Sequence, residues 1–307
     1  MATVLPPQAP ERASLLDPAV LARIGGLELI ARRVVDGFLG GMHRARGFGT
    51  TTDFAEHRAY LPGDDVRRID WRLYARSDRL HVKEFEAENT VAVTALVDVS
   101  RSMAFAAGGR VTKLMYARML AASLLWLARR QRDRVGVATF DAALRALVPP
   151  AGRHLPQALH ALEQASAGGA GTLDAPLRAA AAHVGGRGIV AVLSDLYAEP
   201  EAAIDAVVAL RQRGNELLLL HVLDPAELDF PFDDAAGVRD LETGEVLPVV
   251  PRAMCEEYRR LVAAHLADLE RLAAARGVTY ARFDTSAPLD GALARFLAVR
   301  ESLARAR

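Results

Sequence analysis

The feature that most constrains the fold is a mainly apolar run, Val91–Val97, which is followed by an acid and two hydroxyls at Asp98, Ser100 and Ser102. Such a run is typical of a strand buried on both faces of a parallel sheet. The acid and the two serines occupy alternate positions on the loop that leaves the carboxyl end of that strand. They can therefore direct three hard oxygen ligands at one point, as Mg²⁺ or Mn²⁺ requires. The run therefore predicts a central strand with a candidate metal site at its end.

Two later segments supply further oxygens of the same kind. Thr172 lies in a glycine-rich loop that opens a helix, and Asp195 ends an apolar strand that begins at Ile189. Any one of these residues has a structural alternative, because Ser and Asp are common helix caps. The acids Asp141 and Asp174 also lie near loop ends, but Asp195 is preferred because it ends a fully apolar strand. The predicted metal residues are Asp98, Ser100, Ser102, Thr172 and Asp195.

The order D-x-S-x-S, threonine loop and strand-ending acid resembles the metal-ion-dependent adhesion site of von Willebrand factor A domains. The resemblance implies that Ser100, Ser102 and Thr172 give neutral oxygens directly to Mg²⁺ or Mn²⁺. Asp98 and Asp195 would then act through water. A cation held in this way keeps net positive charge, so it accepts an external carboxylate, which in the resembling family is an acid of a partner protein.

Composition limits the partners and the compartment. Lys plus Arg and Asp plus Glu both total 38, so the formal net charge is zero. The chain therefore has no overall positive charge that would attract nucleic acid or an anionic membrane. The single Cys255 excludes an internal disulfide, which is consistent with a reducing compartment. The most apolar helical run, Met119–Ala128, is too short to cross a bilayer, and the first ten residues lack the charged start of a secretory signal. We expect a cytoplasmic protein with no membrane span.

Regular alternation of strands and helices follows the central strand. It predicts an α/β domain at residues 89–307 with a doubly wound, mostly parallel, Rossmann-like sheet. A hairpin about Thr243-Gly244 is predicted inside an insertion at about 224–251. Ligands of such sheets bind where the strand order reverses, which we place between the central strand and the strand at 189–194. The predicted strands lie at 91–97, 134–140, 144–148, 189–194, 216–222 and 278–283, and the predicted helices at 113–131, 154–165, 175–183, 201–213, 253–275 and 289–303.

Residues 1–88 are predicted to form a smaller amino-terminal module of helix and strand. Asp17-Pro18 is a helix start, and Gly40-Gly41 is the expected end of that helix. Acids and arginines alternate through the segment 54–86, around a turn at Pro62-Gly63, and their balance favours internal ion pairs over phosphate binding. The expected apolar face of the helix comprises Leu21, Ile24, Leu27, Ile30, Val34 and Phe38.

A second resemblance rests on the run from Phe54 to Arg76, which contains Tyr60, Pro62-Gly63-Asp64-Asp65 and Ile69-Asp70-Trp71. With the strand and the D-x-S-x-S-Met site that follow, this run resembles the MoxR-associated family known as domain of unknown function fifty-eight. The resemblance implies a von Willebrand factor A-like fold and work beside MoxR-type AAA+ ATPases. Longer members of the family carry membrane spans, and this sequence shows none.

The motifs favour binding over catalysis. The sequence contains neither a G-x-x-x-x-G-K-[ST] phosphate loop nor a G-x-S-x-G nucleophile elbow. No histidine is spaced to activate Ser100 or Ser102. We therefore expect a protein that is not an enzyme: a metal-ion-dependent protein-binding module that serves as an accessory or adaptor of a MoxR-type AAA+ ATPase in protein assembly or maturation. The alternative that remains is a metal-dependent phosphoesterase on a Rossmann-like sheet.

Overall fold

The computed structural model describes residues 17–23, 25–46, 57–59, 71–77, 79–83, 90–108, 110–184, 187–211, 214–231, 238–241, 244–247 and 251–305. The chain divides into two compact units. One comprises Met1–Leu39 with Val91–Arg307, and the other is Gly40–Thr90. The predicted division into residues 1–88 and 89–307 stays a prediction.

The helices and strands are numbered in chain order. The helices are α1 Pro18–Leu21, α2 Leu27–Arg46, α3 Trp71–Ser77, α4 Lys113–Arg130, α5 Leu155–Gln164, α6 Asp174–Ala181, α7 Pro200–Val208, α8 Pro225–Asp229, α9 Pro251–Ala275 and α10 Asp290–Arg305. The strands are β1 His57–Ala59, β2 His81–Lys83, β3 Ala92–Asp98, β4 Arg134–Phe140, β5 Leu144–Ala151, β6 Gly188–Ser194, β7 Glu216–Leu223, β8 Val238–Arg239, β9 Val246–Leu247 and β10 Thr279–Asp284.

A six-stranded sheet in the order β10-β7-β6-β3-β4-β5 organises the larger unit. All neighbouring strands are parallel except β4 and β5, which are antiparallel. The first strand of this sheet, β3, lies between β4 and β6, so the strand order reverses on either side of it. The predicted doubly wound, mostly parallel sheet and its switch point are confirmed.

The core explains why the central strands are apolar. Every residue of β3 and β6 is buried, since both strands have neighbours on each side and helices over the sheet. Leu96, Val192 and Leu219 have no exposed surface and lie in the middle of this core. Each such side chain contributes about 1.5 to 3 kcal/mol through burial. The stability of this core allows polar groups to be held in place at the strand ends.

The amino-terminal helix differs from its prediction. A short helix, α1, is capped by Asp17, and α2 begins after Gly25 and Gly26, whose φ angles are +69° and +75°. These left-handed conformations interrupt a helix and suit glycine. The expected end at Gly40-Gly41 is wrong, because α2 continues to Arg46; glycine inside a helix costs only about 1 kcal/mol per residue. The predicted apolar residues Leu21, Leu27, Ile30, Val34 and Phe38 are buried, and Ile24 lies outside the described residues.

The remaining segments agree with the predictions only in part. In the unit Gly40–Thr90, β1 pairs with β2 in antiparallel register. The predicted turn at Pro62-Gly63 lies outside the described residues, and the internal ion pairing of this segment stays a prediction. The antiparallel pair β8 and β9 lies where the hairpin about Thr243-Gly244 is predicted, whereas the helix α8 before it was not predicted. None of the helices in the described part of the chain has the length and apolarity that a membrane span needs.

Candidate metal centre

The two predicted acids lie together because their strands are parallel neighbours. Asp98 is the last residue of β3, and Asp195 directly follows β6, whose Leu193 pairs with Val97. Both carboxylates are buried. The hydroxyl of Ser194 donates to Asp98 Oδ2 at 2.6 Å and so links the ends of the two strands. The sheet register therefore brings the acids to the same edge.

The two predicted serines close over these acids in a 3₁₀ turn at Arg101–Ala104. The backbone N–H of Ser100 donates to Asp98 Oδ1 at 2.9 Å. The hydroxyl oxygens of Ser100 and Ser102 are 3.1 Å apart, and the Ser102 hydroxyl is hydrogen-bonded to Asp195. Four of the five predicted metal residues thus form one connected and buried polar cluster.

The fifth predicted residue, Thr172, is exposed on the loop that leads into α6. The first part of this loop is joined to the serine turn, because the N–H of Arg101 donates to the carbonyl of Gly169 at 2.9 Å and the N–H of Gly168 donates to the carbonyl of Val99 at 3.1 Å. A Cβ at Gly169 would overlap the Asp141 carboxylate, so this close approach requires glycine. The role of Thr172 as a ligand stays a prediction.

The two competing acids are engaged in ion pairs outside the cluster. Asp141 Oδ2 lies 2.6 Å from Arg145 Nε, and Asp174 Oδ1 lies 2.7 Å from Arg178 Nε on the exposed first turn of α6. Neither pair includes a serine of the 3₁₀ turn. The geometry agrees with the preference for Asp195.

Sequence reasoning missed Lys113, the first residue of α4. Its ammonium lies 2.8 Å from Asp195 Oδ2 and 2.5 Å from Glu227 Oε1, and its side chain is only 2% exposed. A cation at a helix amino terminus opposes the helix dipole, so this position needs nearby carboxylates to compensate. The unusual placement of a lysine directly after the Thr112 cap is the one signal in the sequence; its partners lie 82 and 114 residues away.

The acids of the cluster have unequal pKa values. Burial and the charge of Asp195 raise the pKa of Asp98 to about 7, against the opposing effect of hydrogen bonds from Ser194 and Ser100. Burial also disfavours ionised Asp195, but Lys113 and the hydrogen bond from Ser102, among other contacts, together outweigh burial and hold the Asp195 pKa below its usual range. Burial lowers the Lys113 pKa, and the two acids Asp195 and Glu227 raise it by more. The Lys113 pKa is therefore raised, and the pair of Lys113 and Asp195 is ionised. The pKa of Glu227 is raised by burial, which Lys113 only partly offsets.

The buried His221 holds the backbone of the cluster in place through a hydrogen bond to Asp195. The Nε2 of His221 lies 2.8 Å from the backbone carbonyl of Asp195, and its Nδ1 lies 2.8 Å from the Tyr280 hydroxyl. Because a carbonyl only accepts, Nε2 carries the hydrogen and Nδ1 accepts from Tyr280. Burial lowers the His221 pKa to about 4, so the ring is neutral near pH 7. His221 thereby fixes the Asp195 peptide, which precedes a left-handed residue, Leu196, at φ 49°.

The donor set fits a hard divalent cation. Within the described residues, no three or more His, Cys, Asp or Glu side chains form a group that could hold a metal ion. The cluster instead combines two carboxylates with serine hydroxyls, the oxygen chemistry that Mg²⁺ and Mn²⁺ prefer. Burial, and after it the charge of Asp195, raise the pKa of Asp98, and a cation between the two acids would relieve their mutual repulsion. Asp195 is shared with Lys113.

Fold and site together define an α/β protein with a doubly wound, mostly parallel sheet and a serine-rich acidic cluster at the sheet switch point. The chain belongs to the family described as protein of unknown function DUF58, which matches residues 56–268. The family predicted from the sequence is confirmed. Its relatives include Rv1480 of Mycobacterium tuberculosis (strain ATCC 25618 / H37Rv) and Mb1516 of Mycobacterium bovis, both uncharacterised proteins. Each is 29% identical over 303 residues, covering 97% of this chain and 95% of the relative.

Similar solved structures include two at low sequence identity. The conserved hypothetical protein BatB from Bacteroides thetaiotaomicron is 22% identical with a TM-score of 0.47, covering 70% of this chain and 99% of BatB. The SpRpn10 VWA domain is 11% identical with a TM-score of 0.39, covering 67% of this chain and 94% of that domain.

Proposed function

We propose that this protein is a metal-ion-dependent protein-binding module. The observation that carries the proposal is the convergence of Asp98, Ser100, Ser102 and Asp195 at the carboxyl ends of two neighbouring parallel strands. With Thr172 on the adjacent loop, these residues would hold Mg²⁺ or Mn²⁺. Such an ion supplies a Lewis-acidic point that accepts a carboxylate from outside the chain.

The charges of the cluster support binding of an acidic partner. Serine and threonine hydroxyls contribute oxygens without charge, and Asp195 is already paired with Lys113. The chain therefore neutralises a divalent ion incompletely, which leaves attraction for an external anion. Hydrogen bonds from Ser194 and from the Ser100 N–H hold Asp98 in place, so the oxygens need little reorganisation on binding.

The partner that we propose is a MoxR-type AAA+ ATPase, or one of its client proteins, that presents an Asp or Glu to the site. This step rests on membership of the family and on the association with such ATPases that the sequence resemblance implies. In this role the chain is an accessory or adaptor in protein assembly or maturation.

We propose further that the site binds rather than catalyses. A serine nucleophile needs an adjacent base. Both ring nitrogens of the buried His221 are engaged, with the Asp195 carbonyl and the Tyr280 hydroxyl, so this imidazole does not activate Ser100 or Ser102.

Calorimetric titration with Mg²⁺ tests the proposed site. Wild type should bind the ion, and Asp98→Ala should lose binding because a carboxylate at the centre of the cluster is removed. Asp174→Ala is the matched control, since Asp174 is an exposed acid paired with Arg178; it should bind as wild type does. Equal binding by wild type and Asp98→Ala would contradict the proposed site.

A further inference from the structure

We propose that Lys113 sets the affinity of the candidate metal site for divalent cations. Its ammonium is an internal cation that is shared between Asp195 of the site and Glu227. The inference rests on the proposed function and names the residue that regulates it. Lys113 is not among the predicted metal residues and, as an ammonium, cannot be a ligand. It acts through Asp195.

The ammonium of Lys113 lies between two carboxylates of different kinds. Asp195 belongs to the cluster, whereas Glu227 belongs to α8. Glu227 is held in place because its Oε2 accepts from the N–H of Asp224 at 2.8 Å, in a capping box that starts α8. Asp224 is itself fixed, since its Oδ2 accepts from the N–H of Ala107 at 3.1 Å. Lys113 therefore has a fixed second partner outside the cluster.

Burial determines what Lys113 can do when a cation enters. An unpaired buried ammonium is costly, so Lys113 cannot lose both acids at once. It can, however, loosen its contact with Asp195 and remain paired with Glu227. A cation held by Asp98 and Asp195 competes for Asp195 and is repelled by the ammonium. The position of Lys113 between its two partners therefore limits cation affinity.

Removing the charge of Lys113 and removing the charge of Glu227 should have opposite effects on the affinity for Mg²⁺. Lys113→Met deletes the competing ammonium while keeping much of the side-chain volume, so Mg²⁺ should bind more tightly. Glu227→Gln deletes the second partner, so the ammonium stays on Asp195 and Mg²⁺ should bind more weakly. If Lys113 served only to stabilise the fold, Lys113→Met would not tighten Mg²⁺ binding.

The experiment is a titration of Mg²⁺, by calorimetry, into wild type, Lys113→Met, Glu227→Gln and the control Arg178→Met, with circular dichroism to verify the fold. We expect dissociation constants roughly tenfold lower or more for Lys113→Met, as follows from removing one like charge near a divalent ion. We expect them several-fold higher for Glu227→Gln. The control should be unchanged. If Lys113→Met does not fold, Lys113→Gln replaces it, and Glu227→Gln still tests the inference.

The outcomes separate this inference from the proposed function. Mg²⁺ binding by wild type, with equal or weaker binding by the folded Lys113 variant, overturns the role of Lys113 and leaves the metal site standing. Unchanged affinity in Glu227→Gln also overturns it. Absence of binding in wild type and in every variant overturns both proposals.

Discussion

Replacing Asp98 with Asn should stabilise the protein at pH 8 in the absence of divalent cations. Asp98 is buried beside Asp195, and together burial and that neighbouring charge raise its pKa to about 7. The ionised form is therefore disfavoured in the folded state. Asn has nearly the same shape, and its side-chain oxygen can still accept from the N–H of Ser100. The substitution removes the charge and retains most of the packing.

The magnitude follows from the pKa shift. The Asp98 pKa changes from 3.8 to about 7 on folding, and each unit corresponds to about 1.4 kcal/mol. Because the folded pKa is the higher one, the folded state binds the proton more tightly and Asp98 lowers the free energy of unfolding as pH rises from about 4 to 7. The Asp98→Asn variant does not lose stability in this way, because Asn has no ionisable side chain. Since Asn also weakens the bond to Ser194, we expect about 1 to 3 kcal/mol of stabilisation at pH 8.

The assay is urea denaturation with chelator at several pH values from 5 to 8, on wild type, Asp98→Asn and the exposed control Asp174→Asn. Neutral buried His221, with its pKa lowered to about 4, makes stability fall as pH drops below about 6.5. The difference between variant and wild type cancels this effect, because both contain His221. The advantage of Asn should grow from pH 5 to pH 8. A variant less stable than wild type by the same amount at every pH would refute the reasoning.

Two further predictions concern the loop and the chemistry. Gly169→Ala should lower the free energy of unfolding by about 1 to 3 kcal/mol and weaken Mg²⁺ binding, because the added Cβ would overlap the Asp141 carboxylate. Thermal denaturation measures the stability and calorimetry measures the Mg²⁺ binding. Gly168→Ala, at an exposed position, is the control. The protein should not turn over a panel of phosphoesters with Mg²⁺ or Mn²⁺. Turnover that Asp98→Ala abolishes would instead support the phosphoesterase alternative.

The sequence predicted the central sheet because its signals are local. The apolar strands and their terminal acids are readable in short windows, and parallel strands bring their carboxyl ends to one edge. The hydrogen bond from Ser194 to Asp98 follows from that register. The Lys113 contacts were not predictable, because they join residues that only the tertiary fold brings together.

Helix boundaries in the amino-terminal part show a second limit of sequence reasoning. Paired glycines occur at Gly25-Gly26 and at Gly40-Gly41, yet only the first pair adopts positive φ angles and interrupts the helix. Glycine permits both a helical and a left-handed backbone. A pair of glycines in the sequence therefore does not determine by itself whether a helix ends there.

The most direct test of metal-dependent protein binding is a pull-down of a MoxR-type ATPase from the source organism. Wild type and Thr172→Ala are compared in Mg²⁺ and in chelator, with Asp174→Ala as control. Wild type and the control should retain the ATPase in Mg²⁺ and release it in chelator. Thr172→Ala should retain it roughly tenfold less well, because one neutral ligand is lost without a change of charge. Retention of the ATPase by folded wild type in chelator, unchanged from Mg²⁺, would contradict the adhesion-type account.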